Sequence, residues 1–236
     1  MRVVILGAGI SGHTAALVLR RHLPRKHTVT VVSPNSQWNW IPSNSWVGTG
    51  VMKKEEVTFS LAPVYKKQKI EFVQAKATEI HPEGSDSSGP FVVAESTAQD
   101  SSGTRLEIPY DYLINATGPK LNFGATPGLG PEGNSFSVCS FDHAADTAKA
   151  FLALVAEMKK GYKKTLVVGT GHGTCTCEGA AFEYTFNIEF ELRRHGVREM
   201  ARIIYISNEA ELGDFGVGGM QLNTGGYSTP GKIFAE

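Results

Sequence analysis

The N-terminal pattern alternates short apolar runs with a segment of helical spacing. Residues 3–6 (VVIL) form an apolar run, a glycine-rich turn follows, and residues 27–33 (HTVTVVS) form a second run. Between the two runs the apolar residues recur at helical spacing, at Ala15, Ala16, Leu19 and Leu23. The pattern predicts a βαβ unit, the arrangement with which dinucleotide-binding domains begin.

The middle of the chain predicts more strands than helices. Residues 70–74 indicate a third parallel strand that enters a β-meander of about residues 79–112, with hairpin turns at the Ser/Gly/Asp-rich stretches 84–89 and 98–104. The segment YDYLINATG, residues 110–118, predicts a strand that returns to the first sheet. A helix is expected from about Ala144 to Lys159.

The opening pattern is repeated near residue 164. The stretch KKTLVVGTGHGT reads as a strand and a glycine turn, and the helical stretch CEGAAFEYTFNIEFELRRHG and the strand RIIYISNE follow it. The predicted fold class is therefore α/β, with two Rossmann-like dinucleotide-binding domains and a small β-meander insertion. We expect a first domain over 1–118, a linker and helix containing Cys139 over 119–160, and a second domain over 161–236.

The second domain is expected to be incomplete. It contains only two clear strands, and its last residues, TPGKIFAE, predict the first turn of a further helix, with Pro230 suited to a helix start. We therefore expect the chain to be the N-terminal part of a longer protein.

Composition and charge narrow the class of function. With 236 residues, 41% of them hydrophobic, the chain can bury an ordinary core. The 23 basic and 23 acidic residues balance, so no global field attracts nucleic acid or anionic lipid.

Three cysteines do not form a disulfide framework, which leaves redox roles open. No secretory signal or membrane-spanning run is expected, and no metal site is predicted.

The first glycine turn, GAGISG, predicts a dinucleotide site. Gly7 permits the tight turn, Gly9 lets the backbone approach a pyrophosphate, and Gly12 lets the helix lie close to the strand. The acidic residue that usually follows the second strand is absent, and Ser33 and Asn35 would bind the ribose with neutral groups. This difference favours FAD over NAD. The small-residue strand end 116–118 (ATG), with Thr117 and Gly118, supports the same cofactor. Ala8 within the glycine turn is a further candidate cofactor contact.

A polar loop at 34–50 contains all three tryptophans, Trp38, Trp40 and Trp46. Such aromatic residues either form a wall against a flat ligand or pack beneath the loop. The sequence alone leaves both possibilities open.

Five segments, taken in order, resemble sulfide:quinone oxidoreductases of the flavin disulfide reductase superfamily. They are VVILGAGISG, WNWIPSNSWVGTG, YDYLINATGPKL, SVCSFDHA and GTCTCEGAAFEY. The resemblance implies a set of FAD contacts at Gly7, Gly9, Gly12, Ser33, Pro42, Ser43, Ala77 and Gly118. It also implies that Cys177 is the central redox cysteine, that its partner cysteine lies beyond residue 236, and that Cys139 has an accessory role, which in some members is a covalent link to FAD.

The position of Cys177 suits a reactive thiol. A cysteine at the start of a helix is stabilised as a thiolate by the helix dipole and by unpaired N–H groups, although burial as a small apolar side chain is the common alternative. Cys175 departs from the family pattern and could pair with Cys177, bind a metal or pack. Asp214 stands where some relatives have histidine, which puts a proton-relay role there in doubt.

The resemblance implies FAD-dependent oxidation of sulfide to sulfane sulfur or polysulfide through redox cysteines, with electrons passed to a membrane quinone. Glu183 and His143 are candidate proton carriers or structural hydrogen-bonding residues. Peripheral association with the cytoplasmic membrane is expected through residues beyond 236, with no nucleic-acid partner, and a homo-oligomer is left open. The alternatives are a type II NADH:quinone dehydrogenase, with Glu209 or Glu211 in its nucleotide site, a flavocytochrome c sulfide dehydrogenase and a non-catalytic FAD-binding scaffold.

Overall fold

The computed structural model describes residues 1–170, 178–207, 222–224 and 227–229. The chain divides into two compact units. The first unit combines Met1–Trp40 with Thr58–Lys120, and the second combines Ile41–Val57 with Leu121–Glu236. The segment 41–57 thus belongs with the second unit, and the domain boundaries expected at 118 and 160 stay predictions.

The described residues form five α-helices and twelve β-strands. The helices are α1 (Ile10–His22), α2 (Asn44–Gly48), α3 (Leu61–Gln68), α4 (Phe141–Lys159) and α5 (Glu178–Arg194). The strands are β1 (Arg2–Leu6), β2 (Thr28–Ser33), β3 (Gln37–Asn39), β4 (Thr58–Ser60), β5 (Glu71–His81), β6 (Phe91–Ser96), β7 (Arg105–Pro109), β8 (Tyr112–Asn115), β9 (Lys164–Gly169), β10 (Ala201–Ile206), β11 (Leu222–Thr224) and β12 (Tyr227–Thr229).

The first unit contains a six-stranded sheet in the order β7-β6-β5-β2-β1-β8. Strand β1 pairs in parallel with β2 and β8, and β2 pairs in parallel with β5, as the βαβ pattern predicts. From Glu71 to Gln74 strand β5 follows β2, and from Ala75 it pairs antiparallel with β6. One strand therefore joins the parallel sheet to the meander, which confirms the predicted transition.

Both faces of this sheet are covered, which explains why its first strand is continuously apolar. Val3 and Ile5 point to the face that packs against α1 and α3, while Val4 and Leu6 point to the face covered by the meander. Alternate side chains of a strand point to opposite faces, so a strand buried on both sides needs an apolar residue at every position.

The second unit contains the repeated βαβ arrangement. Strands β9 and β10 pair in parallel, and α5 lies between them in the chain. Helices α4 and α5 share a buried core that includes Phe151, Met158, Ile188 and Leu192. The α/β fold class with two Rossmann-like units is thus confirmed.

Helix α4 begins three residues before the predicted start. Ser140 is its N-cap, and the Ser140 Oγ accepts a hydrogen bond from the His143 backbone N–H at 3.3 Å. The apolar spacing used for the prediction starts only at Ala144, but a capping side chain determines where a helix begins.

Several predicted features lie outside the described residues: Cys175, Cys177, Asp214, Glu209, Glu211 and the expected helix start at 230–236. Within the described ranges, none of the helices has both the length and the apolar composition needed to cross a bilayer. The same ranges contain no group of three or more His, Cys, Asp or Glu residues arranged to hold a metal ion.

Candidate functional site

The first glycine turn joins β1 to α1 in a very tight backbone. Gly7 adopts a left-handed φ of +95° and donates its N–H to the Val32 carbonyl oxygen at 2.8 Å. A Cβ on Gly7 would collide with the carbonyl oxygen of Ala116, and one on Gly12 would collide with the carbonyl oxygen of Gly7. Both positions require glycine for reasons internal to the fold.

Gly9 differs from the other two glycines. A Cβ at this position would have no heavy atom within 4 Å, so the protein itself leaves the space beside it open. Gly9 is the N-cap of α1, no side chain caps the helix there, and its first turn contains no acidic residue. An uncapped helix start with open space beside it suits an anion such as a pyrophosphate.

The end of β8 lies against this turn. The Ala116 N–H donates to the Leu6 carbonyl oxygen at 2.8 Å. The Asn115 Oδ1 accepts hydrogen bonds from the Thr117 N–H at 3.2 Å and from the Thr117 hydroxyl at 2.8 Å, while Gly118 has a φ of +70°. The prediction did not include Asn115, although an Asn before a small-residue turn is a known signal for such side-chain bonding.

The predicted ribose-binding residues lie at the end of β2 and just after it. Ser33 is only 3% exposed, and its Oγ accepts the backbone N–H of Asn35 at 3.3 Å. The Ser33 hydroxyl therefore keeps its own proton as a donor, and the Asn35 side chain is exposed. Ala77 lies on β5 next to a register shift between Ala77 and Glu79. The roles of these residues in cofactor binding stay predictions.

A partly buried aromatic cluster holds the first turn of α1, and sequence reasoning did not identify it. The His13 Nδ1 lies 3.0 Å from the Tyr65 hydroxyl, and the His13 ring also packs against Trp38 and Phe59. Burial lowers the pKa of His13 and raises the pKa of Tyr65 to about 12. Both groups are thus uncharged at neutral pH, so the hydrogen bond anchors α1 to α3 without adding a charge.

The tryptophan segment is not an irregular loop. It contains β3, a 3-10 turn at Ile41–Ser43 and α2, and Trp38 on β3 stands opposite Phe59 on β4. The ring of Trp38 stacks on Phe59 at 5.0 Å and on Trp40 at 5.8 Å. Trp38 therefore packs within the fold, while Trp40 remains 46% exposed.

In the second unit Cys139 is an exposed free thiol one residue before the cap of α4. Its backbone N–H donates to the Ser137 Oγ at 3.1 Å. His143 lies in the first turn of α4, edge-on to Phe123 at 5.7 Å. Its Nδ1 is buried and has no hydrogen-bond partner among the described residues. The second redox candidate, Cys177, precedes the first residue of α5 in sequence.

A hydrogen bond joins Glu183 on α5 to Ser45 on α2. The Ser45 hydroxyl donates to the Glu183 Oε1 at 3.0 Å, and Ser45 itself is 6% exposed. The predicted FAD contacts Pro42 and Ser43 lie in the 3-10 turn just before α2, which contains Ser45. Sequence reasoning missed Ser45 because 138 residues separate it from its partner.

A second contact joins α2 to α5. The Tyr184 hydroxyl donates to the Gly48 carbonyl oxygen at 3.0 Å, and burial raises the pKa of Tyr184 far above its ordinary value. A Cβ on Gly48 would stand 2.6 Å from the Val138 Cγ1 and 3.0 Å from the Tyr184 Cε2. Gly48 thus allows the two helices to approach closely.

We expect Gly48→Ala to destabilise the protein by about 1 to 3 kcal/mol, because the new methyl group overpacks the contact of α2 with α5. The measurement is the free energy of unfolding from urea denaturation. Gly89→Ala is the matched control, since a Cβ there meets nothing within 4 Å, and its effect should stay within about 0.5 kcal/mol. Equal stability of the two variants would contradict the packing described for Gly48.

The chain is similar to characterised proteins over most of its length. It is 34% identical to the sulfide-quinone reductase of Aquifex aeolicus over 92% of this chain and 45% of that protein. It is 25% identical to the mitochondrial sulfide:quinone oxidoreductase of Dictyostelium discoideum over 89% of this chain and 43% of that protein. The chain therefore spans less than half the length of these relatives.

Comparison of structures gives the same result. The X-ray structure of the sulfide:quinone oxidoreductase from Aquifex aeolicus matches 92% of this chain and 45% of that chain, with a TM-score of 0.76 and 34% identity. Residues 1–204 match the family described as pyridine nucleotide-disulphide oxidoreductase. The FAD cofactor predicted from the sequence is confirmed at the level of this family. Because the match covers both βαβ arrangements, the chain belongs to the pyridine nucleotide-disulphide oxidoreductase family.

Proposed function

We propose that this protein uses FAD to oxidise sulfide to sulfane sulfur or polysulfide and passes the electrons to a quinone. The observation on which the proposal rests is the similarity to the sulfide-quinone reductase of Aquifex aeolicus, which covers 92% of the chain. The glycine turn supports the cofactor part of the proposal, because the open space beside Gly9 suits a dinucleotide.

The first unit supplies most of the proposed cofactor contacts. The backbone at Gly7, Ala8, Gly9 and Gly12, together with the start of α1, would hold the pyrophosphate. The Ser33 hydroxyl and the exposed Asn35 amide would bind the ribose with neutral groups. The remaining proposed contacts are Pro42, Ser43, Ala77, Thr117 and Gly118. When bound, FAD supplies a carrier that takes up two electrons and releases them to a second acceptor.

Cysteine chemistry would perform the sulfur step. Hydrosulfide attacks a disulfide between Cys177 and a second cysteine, which forms a persulfide on one sulfur and releases the other as a thiolate. Over the whole cycle sulfide loses two electrons, and the quinone gains two electrons and two protons to become a quinol. The exposed thiol of Cys139 is a candidate for the accessory cysteine.

Two side chains of the second unit are the candidates for moving protons. The Ser45 hydroxyl donates to one oxygen of the Glu183 carboxylate, and the other oxygen would exchange the proton. His143 has a buried Nδ1 without a described partner, so this nitrogen could accept or donate one hydrogen bond to a bound group. Either residue would act by general acid-base catalysis.

Reduction of the bound flavin by alternative donors tests the proposal. Under anaerobic conditions, sulfide should bleach the flavin absorbance of the purified holoprotein within the turnover time, and NADH should not. Added quinone should then restore the absorbance. Bleaching by NADH but not by sulfide would refute the proposal and favour a type II NADH:quinone dehydrogenase.

The same assay separates the remaining alternatives. Reoxidation by a cytochrome but not by a quinone would favour a flavocytochrome c type of sulfide dehydrogenase. Binding of FAD without reduction by either donor would favour a non-catalytic scaffold. Peripheral membrane association and assembly into a homo-oligomer are proposed on family resemblance, and separate sedimentation experiments with vesicles and in solution would test them.

A further inference from the structure

A basic cleft of about 610 Å³ lies in the first unit at the amino-terminal edge of its sheet. It is lined by the C-terminal ends of α1 and α3 and by the first residues of β2 and β5. The glycine turn lies at the opposite, carboxyl end of β1. The five residues of β1 span about 16 Å at the rise per residue of a strand. The cleft is therefore separate from the proposed dinucleotide site.

The charge of this region is one-sided although the whole chain is neutral. Residues 20–27 and 66–69 contain seven Lys or Arg residues, Arg20, Arg21, Arg25, Lys26, Lys66, Lys67 and Lys69, and no Asp or Glu. The C-terminal ends of two helices carry a combined partial charge of only about −1. Compensation of the helix dipoles thus accounts for one or two of these cations, and the excess positive charge remains.

Most of these cations have no internal anionic partner. Within the part of the chain that the structure describes, no ion pair involves Arg21, Arg25, Lys67 or Lys69. Arg20 is different, because its guanidinium donates to the carbonyl oxygens of His27, Leu23 and Pro24. Arg20 therefore has a structural role, and the other four are available to a ligand.

One acidic residue, Glu71, also lines the cleft and offsets one of the positive charges. The Glu71 Oε2 accepts a hydrogen bond from the Thr30 hydroxyl at 2.7 Å. The environment of His27 reflects the same positive field. Its pKa is lowered by burial and then by the charges of the amino terminus, Lys26 and Arg20.

Lys69 adopts a backbone conformation that lowers the stability of the fold relative to glycine. It ends α3 in the left-handed conformation, with a φ of 59°, and is the one non-glycine residue with a positive φ among the described residues. Glycine is the residue that adopts this conformation without steric cost. A lysine there gives up some stability and adds a cation to the cleft.

We propose that this cleft binds phosphate groups, either those of a phospholipid surface or those of a soluble phosphate compound. Arginine forks and lysine ammonium groups are the side chains that recognise phosphate oxygens. The apolar Val18, which is 50% exposed, also lines the cleft and would contact the uncharged part of a phosphate ester. The proposal does not depend on the proposed function.

Two binding measurements on the purified protein separate the two sources of phosphate. One is sedimentation with vesicles of phosphatidylglycerol and phosphatidylcholine against vesicles of phosphatidylcholine alone. The other is calorimetric titration of the FAD-loaded protein with pyrophosphate, so that the glycine turn is already occupied and only the cleft is tested. Binding to the anionic vesicles alone identifies lipid headgroups, and binding of pyrophosphate alone identifies a soluble phosphate compound. Absence of binding in both overturns the proposal.

Replacing cations of the cleft with neutral residues should weaken binding by a predictable factor. Each Lys or Arg near an anionic surface contributes about fivefold to membrane partitioning, so the triple variant Arg21→Gln, Arg25→Gln, Lys67→Gln should bind roughly a hundredfold more weakly. Arg105→Gln is the control for loss of a single positive charge outside the cleft, on β7, and it should bind like the unchanged protein. Unchanged binding by the triple variant would overturn the proposal. The rate of flavin reduction by sulfide should be the same in all of these proteins.

A single substitution distinguishes a binding role from a structural one. Lys69→Gly should raise the Tm, because it relieves the left-handed lysine, and should weaken phosphate binding by about fivefold. A structural role for Lys69 predicts the opposite change in Tm. A raised Tm with unchanged binding would remove Lys69 from the proposed site.

Discussion

Gly9→Ala is expected to weaken FAD binding by about tenfold to a hundredfold, while the loss of the glycine N-cap of α1 costs the apoprotein only about 1 kcal/mol. A methyl group on Gly9 meets no heavy atom of the protein within 4 Å. In the proposed complex, however, it would lie where the backbone approaches the pyrophosphate. Overpacking costs about 1 to 3 kcal/mol, and within that range about 1.4 to 2.8 kcal/mol corresponds to a tenfold to hundredfold change in Kd. The measurements are the Kd for FAD by fluorescence quenching and the Tm of the apoprotein.

Gly12→Ala is the matched comparison, because here the fold itself has no room. A Cβ on Gly12 would collide with the Gly7 carbonyl oxygen and would lie 3.3 Å from the Cβ of Ala116. Helix α1 would have to move away from β1, so we expect a loss of stability as well as a loss of FAD affinity. Wild-type FAD affinity in Gly9→Ala would show that the pyrophosphate does not approach this turn.

Cys177→Ser is expected to abolish sulfide-dependent quinone reduction, with a loss on the order of 10³-fold or more, while FAD remains bound. A serine hydroxyl cannot form the disulfide that hydrosulfide would attack, and it is far less acidic than a thiol. The measurement is the initial rate of quinone reduction at saturating sulfide, with the flavin spectrum recorded to confirm that the cofactor is present.

Cys139→Ser is the control for loss of a thiol in the same unit. Cys139 is exposed and lies before α4, and an accessory role predicts a smaller loss of rate than in Cys177→Ser. If Cys177→Ser kept most of the rate, Cys177 would be a structural residue and the proposed sulfur step would be wrong. If the two variants lost the same rate, the distinction between central and accessory cysteine would be wrong.

The elements that the sequence predicted well are those determined by neighbouring residues. The βαβ start follows from an apolar run, a glycine turn and helical spacing within 33 residues. The change of β5 from a parallel to a meander strand was also predictable, because the Ser/Gly-rich turns that follow it are local signals. The structural roles predicted for Gly7 and Gly12, a tight turn and a close approach of helix to strand, are confirmed because backbone geometry restricts the residue type there.

Helix α2 could not be predicted in the same way. Its residues, NSWVG, include poor helix formers and are too few to form a helix alone. It is formed because Val47 is buried with Val57 and Ala144, and because Gly48 packs against Tyr184. The tryptophan segment was consequently interpreted as a loop.

The sequence by itself determined the fold class, the glycine turn, the residue types suited to FAD and the segments that resemble sulfide:quinone oxidoreductases. Only the tertiary structure decided that Ser45 holds Glu183, that Tyr65 holds His13, and that cations from two separate segments line one cleft. The physical reason is the range of the interactions. Turns and strand starts depend on adjacent residues, whereas these contacts join side chains that the fold brings together from distant parts of the chain.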